Sequence, residues 1–220
     1  MKRLINLLIL LTLISCSKPE LTKTEINAVQ QALNFYGGQC NRVIGIKTTN
    51  TEKLKYFELE FSKSQLLDYW INNSELPASN IAFLFYSNLD GERSKYNLIN
   101  VKLNFSNGSS ATYSFNESDL SKFIQLSPIM DTISTYLKAE EYGLMSRMFD
   151  TNLPEKLTKS YDSTDKLLQT QIQGFITISD SSRKTNPISI ISINQYEKGN
   201  KLMKVIIDPD SEKILQMNIN

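Results

Sequence analysis

Apolar and polar positions repeat along this chain with two different periods, and the change of period marks out its elements. Ile26, Val29, Leu33 and Tyr36 recur at helical spacing, which predicts a helix with one apolar face. Thr22-Lys23-Thr24-Glu25 opens it as a capping box, Leu21 and Ile26 flank that box as a hydrophobic staple, and Gly37-Gly38 ends it. Residues 40–47 and 56–61 read as strands, the second with Phe57, Leu59 and Phe61 inward and Glu58 and Glu60 outward. Ser62, with Gln65 three residues on, predicts a short helix carrying Leu66, Leu67, Trp70 and Ile71 that stops at Asn72-Asn73. Residues 75–79, with Pro77, read as a loop, and the continuous apolar run 81–86 as a strand buried on both faces. Ile99, Val101, Leu103 and Phe105 alternate with polar residues, Asn107-Gly108 signals a hairpin, and Ala111, Tyr113 and Phe115 return before a helix at 116–125.

The second half begins with helices. Ser127-Pro128 reads as a helix start, Ile129, Ile133, Tyr136 and Leu137 share its face, and Gly143 breaks or kinks it ahead of a second stripe of Tyr142, Met145 and Phe149. Asn152-Leu153-Pro154 opens another short helix. From Leu167 the period falls to two, with strands predicted around Ile176, over 188–196, over 202–207 and over 215–219. A phase flip between Ile190 and Ile191 predicts a bulge there. The pattern predicts an α+β fold, helices packed on curved antiparallel sheets, in two small domains at residues 21–126 and 127–220. In element order the second half resembles the NTF2-like and cystatin-like domains, with a loose match in Gln173-Gly174-Phe175-Ile176 and in the strand-turn-strand around Asp208. That resemblance implies a pocket between sheet and helices, which serves in different members as an active site, a ligand site or a dimer surface.

The first sixteen residues have neither period. Lys2 and Arg3 precede an apolar run from Leu4 to Ile14, broken by Asn6 and Thr12 and shorter than the ~20 residues a membrane-spanning helix needs. The run ends in Leu13-Ile14-Ser15-Cys16, which resembles the lipobox of bacterial lipoproteins. The resemblance implies removal of residues 1–15 as a signal peptide, lipidation of Cys16, and a tether over residues 16–20. It implies three acyl chains on Cys16, palmitate among them. A single chain holds a protein only marginally at ~0.8 kcal/mol per buried CH₂, so several chains make the attachment stable. Ser17, in place of an aspartate, fits the outer-membrane side of the sorting rule of many diderm bacteria.

Composition narrows the chemistry further. Loss of Lys2 and Arg3 takes Lys plus Arg from 24 to 22 against 23 Asp plus Glu, so the body lacks the basic excess that nucleic-acid binding requires. With Cys16 lipidated, Cys40 has no internal partner and is expected as a buried thiol. The chain contains no histidine, which removes His-based general acid–base catalysis, Ser-His and Cys-His nucleophiles and the commonest zinc sites. No phosphate-binding loop, dinucleotide loop or cysteine pair is present, and no cofactor is expected.

The remaining candidates are few. Glu58 and Glu60 lie ~7 Å apart on one strand face, a spacing that suits carboxylate chemistry on glycosidic bonds and equally a plain polar face. Asp208, Asp210 and Glu212 echo a calcium loop but lack its glycine and its distant glutamate, so a hairpin turn is expected and no metal. Four Asn-x-Ser triplets, starting at Asn72, Asn104, Asn107 and Asn116, carry no meaning as glycosylation sites in a bacterial lipoprotein. Among the aromatics Trp70 is the first candidate for contact with a ligand or partner. The expectation is a lipid-anchored envelope protein that binds an envelope protein or small ligand without catalysis. The alternatives are a carboxylate-based envelope hydrolase and a structural or inhibitory module covering another envelope protein.

Overall fold

A computed structural model of the chain describes residues 20–49, 51–151 and 165–220. Cys16, its signal segment and the short helix expected at Asn152-Leu153-Pro154 lie outside the described residues. The described elements run α1 (Lys23–Tyr36), β1 (Gln39–Thr48), β2 (Lys53–Ser62), α2 (Gln65–Asp68), α3 (Glu75–Ser87), β3 (Leu98–Asn104), β4 (Ser110–Asn116), α4 (Glu117–Ala139), α5 (Tyr142–Ser146), β5 (Leu167–Thr177), β6 (Ile188–Tyr196), β7 (Gly199–Ile207) and β8 (Ile214–Ile219). Short 3₁₀ turns at Ile71–Asn73 and Asp90–Lys95 flank α3. The strands form two four-stranded sheets, β1-β2-β3-β4 and β5-β6-β7-β8, so the fold is α+β.

The first element follows its sequence signals closely. Thr22 Oγ1 accepts the Glu25 amide, Glu25 Oε2 accepts the Thr22 amide, and Gly37 caps the other end at φ 67°. Val29 and Tyr36 are buried as expected and Leu33 is half-buried, but Ala28 and Ala32 join them while Ile26 is 49% exposed. Ala28 and Ala32 are fully buried on that face, so it follows small residues as well as large ones.

The largest correction concerns residues 75–86. They form neither a loop nor a strand but the helix α3, in which residues 76–82 are all buried together with Phe85 and Tyr86. A helix enclosed on every side is apolar all round, so it lacks the one-sided pattern by which a helix is read from sequence. Pro77 stands in the first turn, where the backbone amide has no intrahelical acceptor to lose. The polar side chains inside the run are satisfied: Asn80 Nδ2 donates to Tyr36 Oη at 2.9 Å, and Ser79 Oγ donates to the Leu76 carbonyl at 2.7 Å. The helix also explains a mixed sheet. β2 and β3 are parallel, and a parallel pair needs a long crossover, which α3 supplies.

Three smaller corrections follow the same logic. The short helix α2 is capped by Ser64, whose Oγ accepts the Leu67 amide, and Ser62 belongs to β2. Ser127-Pro128 starts no helix: both lie inside the continuous α4, and the boundary at residues 126 and 127 falls within it. Pro128 cannot donate to the Ile124 carbonyl, and Ser127 Oγ donates to that oxygen instead at 3.1 Å. The register steps lie not in β6 but in β5, past Leu168 and past Gln173, with a third in the β7–β8 pair at Ile206/Ile207. Ile188, Ile190, Ser192, Asn194 and Tyr196 of β6 all face the core, and Ile191 and Ile193 are half-buried on the other face.

Buried residues from both sheets and from α1, α3 and α4 form a single cluster. Phe123 of α4 stacks on Phe175 of β5 with ring centroids 4.1 Å apart, and Phe57, Phe85 and Tyr96 make a second aromatic group beneath β2. At the contact between α3 and β5, Gly174 (φ 153°) comes so close to α3 that an added Cβ would lie 2.1 Å from the Leu76 carbonyl oxygen. Beside it the amide of Phe175, on an edge strand, donates to Ser79 Oγ at 2.8 Å.

Two substitutions test this contact. Gly174→Ala is expected to lower stability by roughly 3 kcal/mol, because both the backbone conformation and the space exclude a methyl group. Ser79→Ala leaves the buried Phe175 amide without its acceptor and should cost roughly 1–2 kcal/mol. Urea midpoints of the two variants measure both effects.

Candidate functional site

A cleft of about 550 Å³ opens where α3 begins and the outer face of the second sheet passes it. Its floor is aliphatic, made by Ile176 of β5, Ile191 of β6 and Leu202 of β7. The pairings Gly174↔Ile191 and Ile193↔Leu202 put these side chains on the face turned away from α4. Trp70 and Ile71 form one wall and Tyr113 of β4 the other, with Asn72, Asn73, Ser74 and Glu75 along the rim.

Local structure fixes the Trp70 wall. Ser64 Oγ donates to the Tyr36 carbonyl at 2.6 Å and accepts the Leu67 amide, tying the start of α2 to the end of α1. Asp68 Oδ1 accepts the Ser106 amide at 2.9 Å, which pins the same segment to the β3–β4 hairpin. The Trp70 amide donates to the Leu67 carbonyl, the Asn73 amide to the Trp70 carbonyl, and the 3₁₀ turn passes directly into α3. Ser74 Oγ and Tyr113 Oη are 2.8 Å apart, closing the cleft at the polar end. The rim offers amides, hydroxyls and one carboxylate, and among the described residues no cationic side chain lines the cleft. Such a lining suits a ligand with an apolar body and a neutral hydrogen-bonding end.

The other sequence candidates sit elsewhere. Glu58 and Glu60 lie on the outer face of the first sheet, where Lys102 Nζ is 2.8 Å from Glu60 and Asn104 donates to the same carboxylate at 3.0 Å. The Lys102 contact, then Asn104, holds the Glu60 carboxyl below its usual range, the opposite of what a general acid needs. Asp208 is the hub of the β7–β8 turn: its carboxylate accepts the amides of Asp210 and Ser211 and pairs with Arg183 at 2.7 Å. Asp210 accepts from Thr185, and Glu212 from Gln125, so these carboxylates are engaged within the protein. Among the described residues no cluster of Cys, Asp and Glu is arranged to hold a metal ion.

Cys40 is half-buried on β1, and burial pushes its thiol up to about 12, with Arg42 opposing that rise. Among the described candidates, Trp70 lines this cleft. The floor residues Ile176, Ile191 and Leu202 were not singled out from sequence, because alternation marks a strand without saying which strand crosses its outer face. Nothing matches this chain among protein-family models, curated proteins or solved structures. The geometry of the chain itself therefore carries the functional argument.

Two measurements follow. Because the folded-state value of Glu60 lies below the unfolded value of 4.5, its contribution is present above that value and is lost as pH falls through the folded one. Glu60→Gln should therefore lose less stability than wild type between neutral pH and pH 3, by under ~1 kcal/mol for so solvent-screened a pair. Comparison of urea midpoints at the two pH values reads the difference. The Cys40 thiol should react with a disulfide reagent at pH 8 at least ~10-fold more slowly in the native protein than in urea, since the thiolate is the reactive form.

Proposed function

We propose that this protein is a lipid-anchored envelope lipoprotein, attached to the outer membrane through Cys16, whose body is a non-catalytic binding module. The ligand site is the cleft at Trp70, and the ligand is a small amphipathic molecule. The observation that carries this reading is the lining of the cleft: an aliphatic floor of Ile176, Ile191 and Leu202 faces an indole and ends in amides and hydroxyls. An apolar body gains by leaving water against the floor, and Asn72, Asn73 and Glu75 orient the polar end. Two features support a non-catalytic role: the sequence holds no histidine, and the Glu60 carboxyl is held as an anion on an open sheet face. The lipobox of Leu13-Ile14-Ser15-Cys16 supports the anchor.

Trp70 is the sole tryptophan, so intrinsic fluorescence reports on the cleft directly. Monomeric octyl glucoside, with an eight-carbon chain and a neutral sugar head, is a suitable probe. Titration should shift and saturate the emission, and Leu202→Glu, a substitution at a 42%-exposed position, should weaken binding about tenfold, which is ~1.4 kcal/mol. Absence of any saturable change in wild type would count against a ligand cleft.

A second reading, that another envelope protein covers this face, is favoured by the exposure of Tyr69 (85%) beside the cleft and of Leu202 within it. Native mass spectrometry of the lipidated protein extracted from membranes separates the two. A bound small mass supports the ligand reading, and a stoichiometric protein lost in Leu202→Glu supports the covering module.

A further inference from the structure

We infer that the end of the body formed by the start of α1 and the inner side of the β1–β2 hairpin lies against the phospholipid headgroups, and that it turns the Trp70 cleft away from the bilayer. The inference rests on Cys16 being the lipid anchor. Glu20 is four residue steps from Cys16, with Ser17, Lys18 and Pro19 between them, and a fully extended chain of that length spans at most ~14 Å. Whatever surface surrounds Glu20 is therefore held close to the bilayer.

That surface is a hollow of about 560 Å³ in which Glu20, Thr22 and Glu25 meet Ile44, Ile46, Lys55, Lys95 and Tyr96. Ile46 is 65% exposed although it sits on the core-facing side of β1, because β1 and β2 run on past the helices that cover the sheet. Lys55 pairs directly with Ile46 on that side, and Lys53 follows one step further along the same face. Aliphatic side chains flanked by lysines suit a headgroup boundary, where the lysine stems lie on apolar surface and the ammonium groups reach the phosphates.

Two of the acidic groups at this end, Glu25 and Glu92, are engaged within the protein. Glu25 accepts from Tyr96 Oη at 2.6 Å and from the Thr22 amide, and Glu92 pairs with Lys95 at 2.8 Å while accepting from Thr22 Oγ1. The same contacts brace the end of the body that takes the anchor's pull.

The cleft lies at the opposite end. Helix α1 has 14 residues, which is ~21 Å of axis. Its first turn borders the hollow, whereas the Tyr36 carbonyl at its far end accepts from Ser64 and the Tyr36 hydroxyl pairs with Asn80 of α3. Trp70 and the rim of the cleft follow Ser64 directly in the chain. A ligand in the cleft is therefore met from the aqueous side.

Lipidated full-length protein, extracted in detergent and reconstituted into vesicles of phosphatidylethanolamine with a minority of phosphatidylglycerol, tests this. In a Cys40→Ser background, single thiols from Ile46→Cys, Lys53→Cys or Tyr69→Cys carry an environment-sensitive fluorophore, and headgroup spin-labelled lipid serves as quencher. The expected result is several-fold stronger quenching at positions 46 and 53 than at 69, with blue-shifted emission at 46. Equal quenching at the three positions, or stronger quenching at 69, in protein that floats with the vesicles overturns the assigned face and leaves the anchor standing. Flotation of Cys16→Ala as efficient as that of wild type overturns the anchor reading itself, and the inference with it.

Discussion

The contact between α3 and β5 is the constraint on which the rest of this structure depends. Gly174 lets the edge strand of the second sheet come against the first turn of the helix with no side chain between them, and Ser79 supplies the acceptor that the Phe175 amide would otherwise lack. An edge strand must be paired, covered or blunted, and here a helix covers it. The same helix serves the first sheet as the crossover that makes β2 and β3 parallel. One element therefore shares its surface between both sheets, and this is why the buried residues of the two halves form a single cluster.

The cleft is a by-product of that arrangement. Where α3 begins, the chain must turn from β2 through α2 and a 3₁₀ turn, and Ser64, Asp68 and Ser74 bond that turn to α1, the β3–β4 hairpin and Tyr113. The second sheet passes beside the turn with Ile176, Ile191 and Leu202 uncovered by α4, which packs on the other face through Phe123. Polar ties on one side and an aliphatic sheet face on the other leave a cleft between them.

The candidate site was legible only in part. Trp70, the sole tryptophan, stood out as the first candidate among the aromatics. Its partners across the cleft come from a sheet about a hundred residues further on, and nothing local to Ile191 or Leu202 marks them as facing a cavity. Glu58 and Glu60 attract notice in sequence because spacing alone can suggest a carboxylate pair. The structure puts Lys102 of the parallel neighbour strand beside Glu60, and that pairing exists only once α3 brings β3 next to β2.

The sequence by itself determined the elements whose signals are local: the capping box of α1, its glycine stop, the alternation of β2 and β3, the Asn107-Gly108 hairpin and the α+β class. In each case the deciding interaction spans a few residues, or one face is wet and the other dry, so the pattern records it. Only the tertiary structure decided that residues 75–86 are a helix, that Pro128 sits inside α4, and that the β5–β6 register steps fall in β5 and not in β6. A segment buried on every side loses the contrast between faces that distinguishes a period of 3.6 from one of two. Its conformation is then set by the neighbours that enclose it: a glycine nearly a hundred residues away, and an edge strand whose amide needed an acceptor.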